Sequence, residues 1–223
     1  MKGHNKIISA VAVLALSAAL ASCASLRESF RAGVKEASKG SIQTGAWSED
    51  GKTFTNEWSN VKLSLPEGYR ALSPEEIEQT VGAGEEVVVN DGNRASYDIA
   101  KMRTAYDFII AAADAGVPNI MLIYENIGAS PLTKNLNEGE YFDMMAEQLE
   151  TMDALNYEAT GTETREVAGE SCTVGMLMLA DGAAFQDYYI RKQDDVMIVL
   201  SATYTADTRD AALDVVASIE TAA

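Results

Sequence analysis

The chain has 223 residues, 34 of them Asp or Glu and 17 Lys or Arg, for a formal net charge of −17, and 47% of it is apolar. So acidic a balance excludes a nucleic-acid partner, because holding phosphates takes a basic face. The sole histidine is His4; cleavage anywhere after it leaves a chain unable to build a Ser-His-Asp or Cys-His arrangement or an imidazole zinc site.

Lys2 and Lys6 open the sequence, and the fourteen residues from Ile7 to Leu20 carry no charge. That run is shorter than the roughly 20 residues a membrane-spanning helix needs, and it ends in small residues, as a signal peptide does. Leu20-Ala21-Ser22-Cys23 then resembles the lipobox of bacterial lipoproteins. The resemblance implies cleavage after Ser22, a diacylglycerol on the Cys23 sulfur and a further acyl chain on the new amino group. At about 0.8 kcal/mol per buried methylene, two chains anchor where one is reversible. Residue 24 is Ala rather than Asp, so the inner-membrane retention signal of two-membrane bacteria is missing. The expected location is the extracytoplasmic face of the cell membrane, or the outer membrane in a diderm host. Losing residues 1–22 removes two lysines and no acid, which takes the net charge from −17 to −19.

Residues 23–43 read as the lipidated cysteine and a juxtamembrane tether. Arg27, Arg31, Lys35 and Lys39 recur every four residues, and Leu26, Phe30 and Val34 keep the same spacing. On a helix these form a basic and an apolar stripe, suited to anionic headgroups, at about 1 kcal/mol per cation near the surface. A solvated linker is the other reading. This segment carries +2 against −21 for residues 41–223.

A domain is expected over 44–223. Asp50-Gly51 marks a hairpin between a run around Trp47 and the run Thr53 to Trp58. Val61-Lys62-Leu63-Ser64-Leu65 alternates as a strand with one apolar face. Ser73-Pro74-Glu75-Glu76 supplies an N-cap, a first-turn proline and a capping glutamate for a helix from Pro74 to Val81. Gly45-Ala46-Trp47, Phe54-Thr55-Asn56-Glu57-Trp58, Leu63-Ser64-Leu65-Pro66-Glu67-Gly68-Tyr69 and Ser73-Pro74-Glu75-Glu76-Ile77 together resemble the opening of lipoproteins from anaerobic Gram-positive bacteria that are related to the PsbP-like fold. The resemblance implies an α/β/α sandwich and an accessory or docking role. Thr80 to Arg103 departs from that pattern, and no element is assigned there.

Further strands are expected at Tyr106 to Ala112 and Asn119 to Tyr124. A helix capped by Asn137 and Glu140 should follow, with Tyr141, Met145, Leu149 and Met152 facing inward. Four strands come next, Tyr157 to Val167, Ser171 to Ala180, Ala183 to Arg191 and Val196 to Tyr204, with hairpin turns at Asp181-Gly182 and Asp194-Asp195. A last helix beginning at Asp207 or Thr208 packs Ala212, Val216 and Ile219 inward. The fold class is therefore α+β, a mostly antiparallel β-sheet flanked by helices.

No residue is assigned a catalytic or metal-binding role, and no cofactor is expected beyond the diacylglycerol on Cys23. Cys172, in an apolar run, reads as a buried small hydrophobe. Glu140, Asp143, Glu147 and Glu150 share one helix face and read as solvated surface; Asn90-Asp91-Gly92-Asn93 reads as a turn, without the spacing of a calcium loop. Gly82-Ala83-Gly84 neither follows a strand nor opens a helix, so it is no phosphate loop. In Tyr188-Tyr189 alternation puts one ring in the core. The expected function is non-catalytic docking to an envelope protein complex, with small-ligand binding or carboxylate-dependent hydrolysis as alternatives. Docking calls for an exposed apolar patch, a carrier for an apolar pocket, and a hydrolase for a cleft with two perturbed carboxylates.

Overall fold

The computed structural model describes residues 41–81, 103–128, 131–150 and 156–222. Three short strands come first: β1 (Ala46–Trp47), β2 (Thr53–Asn56) and β3 (Val61–Ser64) form a small antiparallel sheet in the order β1-β2-β3. The turn between β1 and β2 is the expected one at Asp50-Gly51, with Gly51 at φ 68° and the Ser48 hydroxyl donating to Asp50 at 2.7 Å.

The remaining strands are β4 (Tyr69–Ala71), β5 (Thr104–Ala112), β6 (Asn119–Asn126), β7 (Glu158–Val167), β8 (Glu170–Leu179), β9 (Ala184–Gln193) and β10 (Val196–Tyr204). They make a seven-stranded sheet in the order β4-β5-β6-β10-β9-β8-β7, antiparallel at every step. The last four strands form a meander by hairpins, and β10 closes back onto β6. The fold class read from the sequence is the one observed.

Helix α1 covers 74–81 and starts with the expected capping box: Ser73 Oγ accepts from the Glu76 backbone at 3.2 Å while Glu76 accepts from the Ser73 backbone at 2.9 Å. Helix α2 (Glu138–Glu150) repeats the device with Asn137 and Glu140, both bonds at 2.9 Å. Helix α3 (Arg209–Ala217) follows a 3₁₀ turn at Ala206–Thr208.

Alternation along the strands sorts the core onto two faces. On one, Ile109, Met121, Ile123, Tyr188 and Val199 meet Tyr141, Phe142, Met145 and Leu149 of α2, together with Ile77 and Val81 of α1. On the other, Phe108, Leu122, Val174 and Leu200 meet Phe54 and Leu63 of the small sheet and Ala212, Val215 and Val216 of α3. The sheet is thus covered on both sides, which is why Tyr188 and Tyr189 are both buried, one per face, where alternation alone required only one. Close approach of α2 depends on Gly175 of β8, where a Cβ would lie 2.0 Å from the Phe142 ring. The chain end is tied to the small sheet: Lys62 and Glu220 exchange both backbone hydrogen bonds at 2.9 Å.

Candidate functional site

Cys23, Arg27, Arg31, Lys35 and Lys39 lie outside the described residues, as do Met152, Asn90-Asp91-Gly92-Asn93 and Gly82-Ala83-Gly84. Glu140, Asp143, Glu147 and Glu150 are all exposed on the outer face of α2, and Glu150 accepts the Ala159 backbone N–H at 3.0 Å. Cys172 is buried, and burial pushes its thiol up to about 11, so it behaves as the small hydrophobe its sequence context indicated.

The chemistry the sequence did not reveal is three carboxylates withdrawn from the surface, Glu125 and Asp187 buried and Asp107 half-buried, each held by a tyrosine hydroxyl. Asp107 belongs to β5 at a point where the pairing with β6 slips between Tyr106 and Phe108. An extra residue in a strand bends it and redirects a side chain, and the Asp107 carboxylate reaches the small sheet. Its Oδ1 accepts from the Gly45 backbone at 2.8 Å. Its Oδ2 accepts from the Tyr124 hydroxyl at 2.5 Å and from Asn56 Nδ2 at 2.7 Å. The Ser59 hydroxyl then donates to Tyr124 at 2.8 Å. Gly45 is needed where it stands, since a Cβ there would sit 2.5 Å from the Phe54 ring and the Thr55 carbonyl. Burial raises the Asp107 carboxyl above its ordinary range against the pull of these donors. It raises the Tyr124 phenol further, helped by the Asp107 charge. The phenol therefore keeps its proton and donates it to Asp107 within the large sheet, while the bonds of this pair to Gly45, Asn56 and Ser59 tie the large sheet to the small one.

Glu125, on the opposite face, has no solvent exposure. Its Oε2 accepts from the Tyr141 hydroxyl of α2 at 2.7 Å, and Oε1 lies 3.8 Å from Nη2 of buried Arg103. Burial outweighs both partners and pushes the carboxyl up to about 7. The third carboxylate, Asp187 of β9, accepts from the Tyr204 hydroxyl at 2.8 Å and lies 3.6 Å from Arg165 Nη1. That guanidinium donates to the Tyr189 hydroxyl at 2.9 Å, sits 5.8 Å from the same ring, and pairs with Glu163. Burial raises the Asp187 carboxyl as well.

These groups do not assemble into a hydrolytic pair. Glu125 lies across the sheet from the other two, and Asp107 and Asp187 are three strands apart in the order β5-β6-β10-β9. At about 4.8 Å per strand that is about 14 Å, against a span of roughly 5 to 9.5 Å for working carboxylate pairs. The cavity that Cys172 lines with Leu122, Tyr189, Leu200 and Ile219 has about 20 Å³, room for one water where small-molecule pockets run to roughly 300 Å³ or more; a wider concavity of about 580 Å³ lies open to solvent between Lys62, Glu166, Gly169 and Glu220.

The surface also departs from expectation. Among the described residues Leu132 is the large apolar side chain left exposed, at 55%; it stands singly and makes no patch. What the described surface offers instead is an edge. Strand β7 closes one side of the sheet, eight of its ten residues are exposed, and Arg165 and Val167 are half-buried. The sequence marked it as a strand but carried no signal of its edge position, except that Glu158-Ala159-Thr160-Gly161-Thr162-Glu163-Thr164-Arg165-Glu166 is polar on both faces.

No protein-family model matches the chain, and no curated protein is similar to it. Among solved structures it is similar to the solution structure of cyanobacterial PsbP (CyanoP) from Synechocystis, at 10% identity and a TM-score of 0.49, over 79% of this chain and 98% of that one. It is also similar to a crystal structure from Bacteroides thetaiotaomicron, at 11% identity and a TM-score of 0.37, over 76% of this chain and 48% of that one.

Proposed function

We propose that the protein is a lipid-anchored, extracytoplasmic lipoprotein whose domain acts without catalysis, as a docking module for an envelope protein complex. The observation that carries this reading is the exposed strand β7 at the sheet edge. Its backbone is a template for a further strand, a recurring mode of protein recognition in which main-chain hydrogen bonds supply affinity and side chains select the partner.

Anchoring rests on the lipobox-like run ending in Cys23, with Arg27, Arg31, Lys35 and Lys39 beside the bilayer and electrostatic repulsion directing the acidic domain away from it. Cys23→Ser should move the protein from the membrane fraction to the medium or periplasm; retention in the membrane would overturn the anchor. Docking is tested by crosslinking the full-length protein in its own membrane and identifying the adducts by mass spectrometry. One partner in near-stoichiometric yield supports the reading, and a protein recovered bare at all crosslinker lengths overturns it.

A further inference from the structure

We infer that the occupant of the β7 edge is β7 of a second copy of this chain, antiparallel and in the register that places Thr164 opposite Thr164. This rests on the docking reading of the edge and commits it to a partner. Strand β8 takes one side of β7, and no described strand takes the other. The N-terminal end of β7 is unsuited to pairing: its register on β8 slips between Ala159 and Gly161, Gly161 has φ 145°, and Glu150 already accepts the Ala159 N–H. That leaves the six regular residues Thr162 to Val167.

Charge selects the register within that run. Two-fold pairing keeps the same face of both sheets up, so each two-fold register is centred on one residue. Centred on Thr164, Glu163 of each copy faces Arg165 of the other, Thr162 faces Glu166, and Gly161 faces Val167; every charge that meets a charge meets its opposite. Centring on Glu163, Arg165 or Glu166 sets like charges directly opposite, and centring on Thr162 pairs most of the regular run with the unsuited end. Opposite charges across a strand pair are favourable and like charges are not. The side chains that blunt this edge against other strands thus admit this one.

The same symmetry suits a common membrane. Ile42 and Gln43, where the described chain begins, lie on the face covered by the small sheet: Ile42 packs into that core and the Gln43 carbonyl accepts from Asn56 at 2.8 Å. A two-fold axis perpendicular to the sheet turns this face of both copies the same way, so Ile42 and Gln43 of both copies lie on one side. So short a paired run makes a small interface, and two anchored chains meet at the raised effective concentration that tethering provides. Repulsion between two acidic domains is screened beyond roughly 8 Å at physiological salt.

The test is oxidative crosslinking of full-length protein in its own membrane. Thr164→Cys should give a disulfide-linked band at twice the chain mass. Thr162→Cys and Glu166→Cys should each give at least tenfold less alone but match it when combined in one chain. Cys172 does not confuse the result, being buried on the opposite face of the sheet from Thr164. Glu163→Arg introduced beside Thr164→Cys should cut the band at least tenfold, and co-expression with a chain carrying Arg165→Glu and Thr164→Cys should restore it as the mixed pair. Should Arg165→Glu fail to fold, the paired cysteines at 162 and 166 still read the register. Thr164→Cys linked to a different protein would overturn self-pairing and leave docking at this edge standing. The absence of any linked species would overturn both.

Discussion

Strands β6 and β7 belong to one sheet and have similar lengths, eight and ten residues, yet all of β6 is buried and eight residues of β7 are exposed. The difference is one of position. β6 lies between β5 and β10 with a packed layer on each face, so Asn119-Ile120-Met121-Leu122-Ile123-Tyr124-Glu125-Asn126 is apolar through its middle and its polar groups need partners. Among the described residues β7 has one neighbouring strand, so most of its side chains answer to water and its backbone to whatever comes next. A central strand contributes stability and an edge strand recognition, and substitutions should divide along that line.

The largest effect is expected from Ile123→Ala, which empties a fully buried site on β6; a loss of about 2–5 kcal/mol in urea unfolding is expected, and a loss under about 1 kcal/mol would break the comparison. Glu125 makes the same strand pH-sensitive. Its carboxyl goes from an ordinary 4.5 to about 7 on folding, so the folded state holds the proton more tightly. The stability this brings is complete below about pH 4.5 and is lost as pH rises through about 7, a change of about 3 kcal/mol. Urea midpoints between pH 4.5 and 8 should fall in the parent protein and lose that component in Glu125→Gln; equal slopes in the two would remove Glu125 as the source.

Tyr124→Phe takes the donor from Asp107 and the acceptor from Ser59. A loss of about 1–3 kcal/mol is expected, with faster amide exchange in β2 marking a loosened small sheet; unchanged exchange there would show that the Tyr124 hydroxyl does not help to hold the small sheet. At the other end of the scale, Thr162→Ala on β7 should stay within about 0.5 kcal/mol of the parent, and a larger change would mean that the edge is part of the stabilising core.

Much of this contrast was legible in the residues. Asn119 to Tyr124 reads as a buried strand from its unbroken apolar run, and the turns at Asp50-Gly51 and Asp181-Gly182 fall where expected; Asp181 and Gly182 have φ of 56° and 89°. Both capping boxes were visible as residue patterns. What could not be read is the pairing of β6 with β10, since Ile123 meets Val199 across a long stretch of chain and no local rule chooses a strand's distant neighbour. The three carboxylates were hidden for the same reason. Asp107 and Asp187 stand inside strands otherwise rich in apolar residues, which was a signal, but their tyrosine partners lie on other strands, at Tyr124 and Tyr204. The slip that redirects Asp107 leaves no mark in the sequence at all.

The tie between Lys62 and Glu220 spans 158 positions of sequence, and it has a consequence for how the protein is made. The small sheet is among the first parts to be synthesised and cannot be completed until residues near 220 have emerged. Through most of synthesis and export, β6 likewise waits without β10, its apolar side chains unmatched. The growing chain therefore has no finished large sheet until its last strands have been made.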